Sequence, residues 1–101
     1  MRTAAVQRVF REGSALHGTR VVVFVAEGGG RAAFIAGRKV GGAVQRNRAR
    51  RVLRAALREV APGGIAGRDV VVVAREAIVG ALTQDVVGEL GDLLAREVAS
   101  R

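Results

Sequence analysis

Residues 46–58, which read RNRARRVLRAALR, combine six arginines with apolar residues at helical spacing. They lie inside a longer interval, between Glu27 and Glu59, that contains nine Arg or Lys residues and no acidic residue. The chain before this interval has two more bases than acids, and the chain after it has three more acids than bases. The nine bases of the interval therefore account for all of the net charge of +8. Charge this concentrated repels itself unless a polyanion neutralises it. The interval therefore predicts a nucleic-acid partner.

The basic stretch predicts a helix from about Ala43 to Val60 with two separate faces. At about 100° per residue, its apolar side chains fall within an arc of roughly 140°. These apolar residues are Ala49, Val52, Leu53, Ala56, Leu57 and Val60. A ridge of arginines runs beside them, made of Arg46, Arg50, Arg54 and Arg58. Asn47 and Arg51 belong to the same basic face, whereas Arg48 lies apart, near the other edge of the apolar stripe.

Such a helix can pack on a sheet while presenting guanidinium groups, which bind phosphate oxygens through two parallel hydrogen bonds. A solvated charged face is the alternative interpretation of any run of charges. The absence of acidic residues on this face favours nucleic acid.

The remaining pattern predicts an α/β fold, a two-layer sandwich of a small mixed sheet and packed helices in one domain over residues 1–101. The predicted order is α-β-β-α-β-α, with a possible short extra strand. Gly28–Gly30 separates the first two strands and favours an antiparallel hairpin, while the continuous valines of the third strand favour a central, buried position. Thr83 is a candidate N-cap of the last helix. The other predicted elements are a helix at 3–12, strands at 19–26, 31–37 and 69–74, and a helix at 83–98.

Several classes of site find no support in the sequence. The chain has no cysteine, so neither a disulfide framework nor a thiolate metal site is expected. His17 is the only histidine and is predicted to lie in a surface loop. Asp85, Glu89 and Asp92 share one helix face, which is typical of a solvated surface rather than a metal site. We therefore predict neither a protein active site nor a protein metal site.

The sequence also predicts a cytoplasmic location without a membrane partner. Its apolar runs are far shorter than the roughly 20 residues of a membrane span. No charged segment followed by an apolar run and a cleavage site opens the chain, so export is not expected. The sequence does not indicate an oligomeric state.

Residues 37–54 read GRKVGGAVQRNRARRVLR. This combination of a basic pair, Val-Gly, Ala-Val, Arg-Asn-Arg and a second basic pair before Leu-Arg resembles the signature of the bacterial ribonuclease P protein subunit. The resemblance extends to residues 9–13, which read VFREG, and to residues 70–75, which read VVVVAR. It therefore covers nearly the whole chain in the same order.

The resemblance implies an RNA-binding subunit that assists a catalytic RNA in removing the 5′ leader of precursor tRNA. It implies that the RNA performs the chemistry with Mg²⁺ and that the protein contributes no catalytic residue. It also implies a left-handed βαβ crossover, although about 98% of such crossovers are right-handed.

The resemblance also implies site residues. Phe10 and Phe24 are implied to line a cleft for the single-stranded leader, where aromatic rings can stack on unpaired bases. Packing in the core is the alternative role for both rings, and it is the role predicted for Phe34. The residues implied to face the catalytic RNA are Arg38, Lys39, Arg46, Asn47, Arg48, Arg50, Arg51 and Arg54.

Two other functions use the same basic helix. A ribosomal-type or duplex-DNA-binding module without an enzymatic role would present it to a different nucleic acid. A stand-alone nuclease would need carboxylate or histidine chemistry on the basic face, and the sequence shows none there.

Overall fold

The computed structural model describes residues 1–99, in which three helices pack on one four-stranded sheet. Short 3₁₀ turns at Arg38–Val40 and Glu76–Ile78 precede the last two helices. This architecture confirms the predicted α/β class with a mixed sheet. In chain order the elements are α1 (Thr3–Glu12), β1 (Ser14–His17), β2 (Val21–Glu27), β3 (Ala32–Ala36), α2 (Ala43–Val60), β4 (Arg68–Ala74) and α3 (Thr83–Ala99).

The sheet has the strand order β1-β2-β4-β3, with β4 antiparallel to β2 and parallel to β3. The predicted antiparallel hairpin of β2 and β3 is therefore wrong, because β4 lies between these two strands. The glycines at 28–30 indicate a chain reversal but not a pairing. The valines of β4 favour a strand that is covered on both faces, and in the middle of the sheet β4 is in contact with α2 on one face and α1 on the other.

The possible extra strand is present as β1, which pairs antiparallel with β2. His17 is the last residue of β1 and lies opposite Val22, so its predicted place in a loop is wrong. Its side chain is exposed, as predicted. Four residues with only one half-buried apolar side chain, Leu16, are too weak a pattern to define a strand without its partner.

The segment β3–α2–β4 is a parallel βαβ crossover, because β3 and β4 are parallel neighbours joined through α2. The implied left-handedness of this crossover stays a prediction. The observed bounds of α2 agree with those predicted from its two-faced pattern. The buried residues of α2 are Ala49, Val52, Leu53, Ala56 and Leu57, and Val60 is half-buried.

The two faces of the sheet are covered unequally. On one face, α2 and α3 bury a large core that includes Leu53, Leu90 and Leu93. On the other face, α1 covers a smaller cluster around Val9 and Val71, and the apolar residues around this cluster stay partly exposed. The second face is therefore the part of the sheet that remains accessible to a ligand.

Helix α3 differs from the prediction at Thr83 and at Glu89. The N–H group of Leu82 donates to the Asp85 carboxylate at 3.2 Å, as in one half of a capping box, and Thr83 is the first helical residue rather than the N-cap. Glu89 does not belong to a solvated face. Its carboxylate accepts hydrogen bonds from the N–H groups of Arg20 at 2.8 Å and Val21 at 2.9 Å, and so holds the start of β2 against α3.

A glycine inside α3 provides a test of the packing between α2 and α3. A Cβ atom at Gly91 would contact Cγ1 of Val60 at 3.6 Å, an ordinary van der Waals distance. We expect Gly91→Ala to raise the free energy of unfolding by about 1 kcal/mol, because Ala is that much more favourable than Gly inside a helix. Gly88→Ala is the matched control, since its Cβ would meet nothing within 4 Å. Urea denaturation measures both, and a loss of stability in Gly91→Ala alone would contradict the packing described.

Candidate nucleic-acid interface

The apolar stripe of α2 packs against the sheet and thereby turns the basic face of the helix outward. Asn47, Arg51 and Arg54 are exposed, and Arg46 and Arg50 are half-exposed. The structure thus brings five of the predicted RNA-facing residues together on one face of α2. We define the α2 basic face as Arg46, Asn47, Arg50, Arg51, Arg54 and Arg58.

Arg38 and Lys39 are held in the 3₁₀ turn that leads into α2. Val40 anchors this turn because its side chain is buried in the core, while both basic side chains are exposed. The turn closes through the N–H group of Gly41, which donates to the carbonyl oxygen of Arg38 at 3.1 Å, and Gly41 has a φ of +138°, which favours glycine. The first turn of α2 contains no acidic residue, so the positive end of the helix dipole adds to the potential of both basic groups.

Contacts within the chain orient three of the predicted residues. The Arg50 guanidinium donates a hydrogen bond to Oδ1 of Asn47, one helical turn away. The Arg54 guanidinium lies over the Phe34 ring, 5.3 Å from its centroid. Arg48 points elsewhere, as predicted, and its Nη2 donates to the carbonyl oxygen of Ala81 at 3.0 Å. Arg48 therefore links α2 to the loop before α3.

Among residues 1–97, no acidic side chain forms an ion pair with the α2 basic face. Within residues 1–97, the ion pairs involve Arg8, Arg20, Arg31 and Arg68, and none involves an arginine of α2. The one acidic residue of α2, Glu59, is exposed at the end of the helix. The face therefore retains its full capacity to bind an anionic partner.

Phe10 and Phe24 meet on the less covered face of the sheet. Their ring centroids are 4.7 Å apart, and the ring planes lie edge to face at 79°. Phe24 is half-buried against the cluster under α1, whereas Phe10 is 40% exposed. Phe34 lies on the opposite face, half-buried against the main core, which agrees with its predicted packing role.

Sequence reasoning missed Asp69, the one charged side chain that is fully buried in the described residues. Its carboxylate accepts hydrogen bonds from the guanidinium groups of Arg8 at 2.8 Å and Arg31 at 2.9 Å. It also accepts the N–H groups of Gly29 at 3.1 Å and Arg31 at 2.9 Å. Asp69 thus ties α1, which carries Phe10, to the β2–β3 loop. The only indication of this buried carboxylate in the sequence was one acidic residue directly before the valines at 70–73.

This environment makes the stability of the protein depend on the charge of Asp69. The hydrogen bond from Arg31 holds the pKa of Asp69 below its usual value of 3.8, although burial opposes this shift. Because the pKa of Asp69 is lower in the folded than in the unfolded protein, the ionised carboxylate stabilises the fold at pH values above the unfolded-state pKa. This stabilisation is lost as the pH falls through the folded-state pKa. We expect the stability difference between the wild type and Asp69→Asn to be constant above about pH 5 and to shrink below pH 4. Urea denaturation from pH 6 to pH 2 measures this difference, and a difference that grows at low pH would contradict the assignment.

The described part of the chain contains no group of three His, Asp or Glu side chains arranged to hold a metal ion. None of the helices described is long and apolar enough to cross a membrane.

Comparison with known proteins gives consistent matches. Residues 2–98 match the family model described as Ribonuclease P. The ribonuclease P protein component of Brevibacillus brevis is 37% identical over 76 residues, which are 71% of this chain and 60% of that protein. The protein of the same name from Natranaerobius thermophilus is 39% identical over 72 residues, which are 68% of this chain and 63% of that protein. The chain therefore spans less than two thirds of the length of either curated relative.

The fold is also similar to solved structures. The ribonuclease P protein of Thermotoga maritima has a TM-score of 0.77 and 28% identity, covering 95% of this chain and 94% of that chain. A Staphylococcus aureus ribonuclease P protein mutant, described as defective in mRNA degradation activity, has a TM-score of 0.82 and 25% identity, covering 99% of this chain and 86% of that chain.

Proposed function

This chain belongs to the ribonuclease P protein family, and from that membership we propose that it is the RNA-binding subunit of a ribonucleoprotein endonuclease. In this enzyme a catalytic RNA removes the 5′ leader of precursor tRNA, and the protein assists by binding both the catalytic RNA and the leader. The observation that supports the proposal most directly is the α2 basic face, whose arginines have no acidic partner among the described residues.

The catalytic RNA binds along the α2 basic face and the preceding turn. The guanidinium groups of these arginines replace the counterions of the phosphate backbone, and the release of those counterions favours binding at low salt. Arg38 and Lys39 extend this contact ahead of the helix, because both are exposed just before its N-terminus. Arg48 contacts the catalytic RNA at the edge of this interface, because one of its N–H groups already donates to the backbone carbonyl of Ala81.

The leader binds across the less covered face of the sheet. An unpaired base stacks on the exposed ring of Phe10, and Phe24 supports that ring edge to face. Such stacking contributes about 1–3 kcal/mol per base and tolerates different sequences, since every base has an aromatic face. Phe24 packs in the cluster under α1, whereas α2 packs in the main core on the other face of the sheet, so catalytic RNA and leader can bind together.

The protein assists cleavage by positioning the RNAs and by contributing positive charge. Mg²⁺ works with the catalytic RNA, and the positive charge of the protein reduces the repulsion between this RNA and its precursor tRNA substrate. Less Mg²⁺ is then needed to bring them together. A bacterial subunit of this kind works in the cytoplasm.

We expect the purified protein alone to leave precursor tRNA uncut and to increase cleavage by the cognate ribonuclease P RNA at low Mg²⁺. Gel electrophoresis of a 5′-labelled precursor tRNA measures both. The increase should be largest at low Mg²⁺ and become small at high Mg²⁺, where the ions alone screen the phosphates. Failure to stimulate this RNA at any salt concentration would refute the proposed function.

Competition separates this function from a duplex-DNA-binding module that uses the same helix. A helix in a DNA major groove reads base edges, whereas the proposed subunit prefers folded RNA with an unpaired 5′ leader. Unlabelled duplex DNA should therefore displace the labelled RNA only at high excess. Equal displacement by DNA would favour the alternative module.

A further inference from the structure

A groove runs between the second half of α2 and the edge strand β3, with a volume of about 210 Å³. Its floor is apolar and is formed by Phe34, Leu57 and Ala61, while Arg54 and Arg58 stand at its rim. None of the described residues that line it is acidic. Its volume is below the roughly 300–1,000 Å³ of sites for drug-sized ligands, so it suits a single flat ring.

The Arg54 guanidinium is held in place over this floor. It lies 5.3 Å from the centroid of the Phe34 ring, within the range of a cation–π interaction. The ring is itself restrained, because Phe34 packs against the main core. Arg54 is otherwise exposed, so its planar group is oriented and still accessible.

The two ends of the groove differ in chemistry. Arg58 lies one helical turn beyond Arg54, is exposed, and makes no ion pair within the described residues. At the loop end, Gly64 has a φ of +89°, and a Cβ atom there would approach the carbonyl oxygen of Gly30 to 2.7 Å. A side chain is therefore excluded at this position, which keeps the loop end of the groove free of side-chain atoms.

We propose that this groove binds one unpaired nucleotide of the catalytic RNA, with the base stacked on the Arg54 guanidinium and the phosphate bound by Arg58. The proposal rests on the proposed function, gives Arg54 and Arg58 of the α2 basic face separate roles in it, and adds Phe34. Unpaired RNA bases stack on guanidinium planes as well as on aromatic rings. The guanidinium group of Arg58 can donate two parallel hydrogen bonds to the oxygens of a phosphate. Phe34 is a positioning residue, because it acts on the RNA through Arg54.

A double-mutant cycle tests the role of Phe34. Binding to the cognate ribonuclease P RNA, transcribed in vitro, is measured for Phe34→Leu, Arg54→Ala and the double variant. We expect Phe34→Leu to weaken binding by about fivefold and Arg54→Ala by about tenfold or more. The double variant should bind no worse than Arg54→Ala, since Phe34 has nothing left to orient. A merely structural role would make the two losses multiply, and that result would overturn the assignment of Phe34.

Arg58→Ala tests the phosphate contact without risk to the fold, because this side chain is exposed. We expect the slope of log affinity against log salt to become shallower by about 0.7–0.9. Arg96→Ala is the matched control, since it removes one exposed positive charge from the last turn of α3, outside the groove. Equal slopes for Arg58→Ala and the wild type would overturn the phosphate contact.

Chemical probing of the RNA distinguishes this inference from the proposed function. In the wild-type complex, one unpaired base should be protected, and this protection should be lost in Arg54→Ala while the rest of the footprint persists. A wild-type protein that binds the RNA without such a base refutes the groove proposal alone. A wild-type protein that does not bind the RNA refutes the proposed function, and the groove proposal with it.

Discussion

Asp69→Ala should lower the free energy of unfolding by about 3 kcal/mol, more than a surface substitution usually does. The carboxylate is fully buried and accepts four hydrogen bonds. Arg8 and Arg31 keep contact with water, so they can be solvated when the carboxylate is lost. The N–H groups of Gly29 and Arg31 instead lose their acceptor, at about 1–3 kcal/mol for each unsatisfied group. Urea denaturation at pH 7 measures the loss.

Asp92→Ala is the matched control, because this carboxylate is exposed on α3 and should change stability by less than about 0.5 kcal/mol. Hydrogen exchange gives a second readout of Asp69→Ala. Because Arg8 anchors α1 through Asp69, the amides of α1 should lose more protection than those of α3. A loss of stability no larger than that of the control would show that the buried network contributes little.

Replacing Arg46 and Arg50 together by Ala should weaken binding to the cognate ribonuclease P RNA by about 100-fold at physiological salt. Hydrogen bonds to charged groups contribute roughly 1.5–3 kcal/mol each, and each 1.4 kcal/mol is a factor of ten. The slope of log affinity against log salt should become shallower by nearly two units, since each phosphate contact contributes about 0.9. Titrations with fluorescent RNA at several salt concentrations measure both quantities.

Two controls separate charge from geometry in this experiment. Arg46→Lys with Arg50→Lys keeps the charges, so the slope should stay unchanged, but affinity should fall because the guanidinium fork is lost. Arg2→Ala with Arg96→Ala removes the same charge outside α2 and should leave the slope nearly unchanged. An unchanged slope in the α2 variant would place the RNA interface on another surface.

Local patterns were sufficient for α2 and its basic face. The predicted limits of Ala43 and Val60 agree with the structure, because the apolar spacing lies within the segment and Pro62, two residues after it, cannot continue a helix. Strand pairing was not predictable in the same way. The predicted hairpin of β2 and β3 failed because β4, which follows 18 residues of α2, inserts between them.

The site shows the same division between local and distant information. Asp69 was missed because its partners Arg31 and Arg8 lie 38 and 61 residues away in sequence. The orientation of Arg54 was missed because Phe34 belongs to a different element and is brought under the guanidinium only by the β3–α2 packing. Phe10 and Phe24 were both named, but only the fold places their rings 4.7 Å apart.

The sequence by itself determined that a two-faced basic helix exists, that its arginines fall in an interval between Glu27 and Glu59 without any acidic residue, and that the signature around it resembles ribonuclease P proteins. Helical periodicity and charge density can be recognised locally, because both depend on residues a few positions apart. Only the tertiary structure decided the strand order, the burial of Asp69 and the groove beside Arg54. These features depend on contacts between distant segments, which form when the apolar faces of the sheet and the helices are buried together.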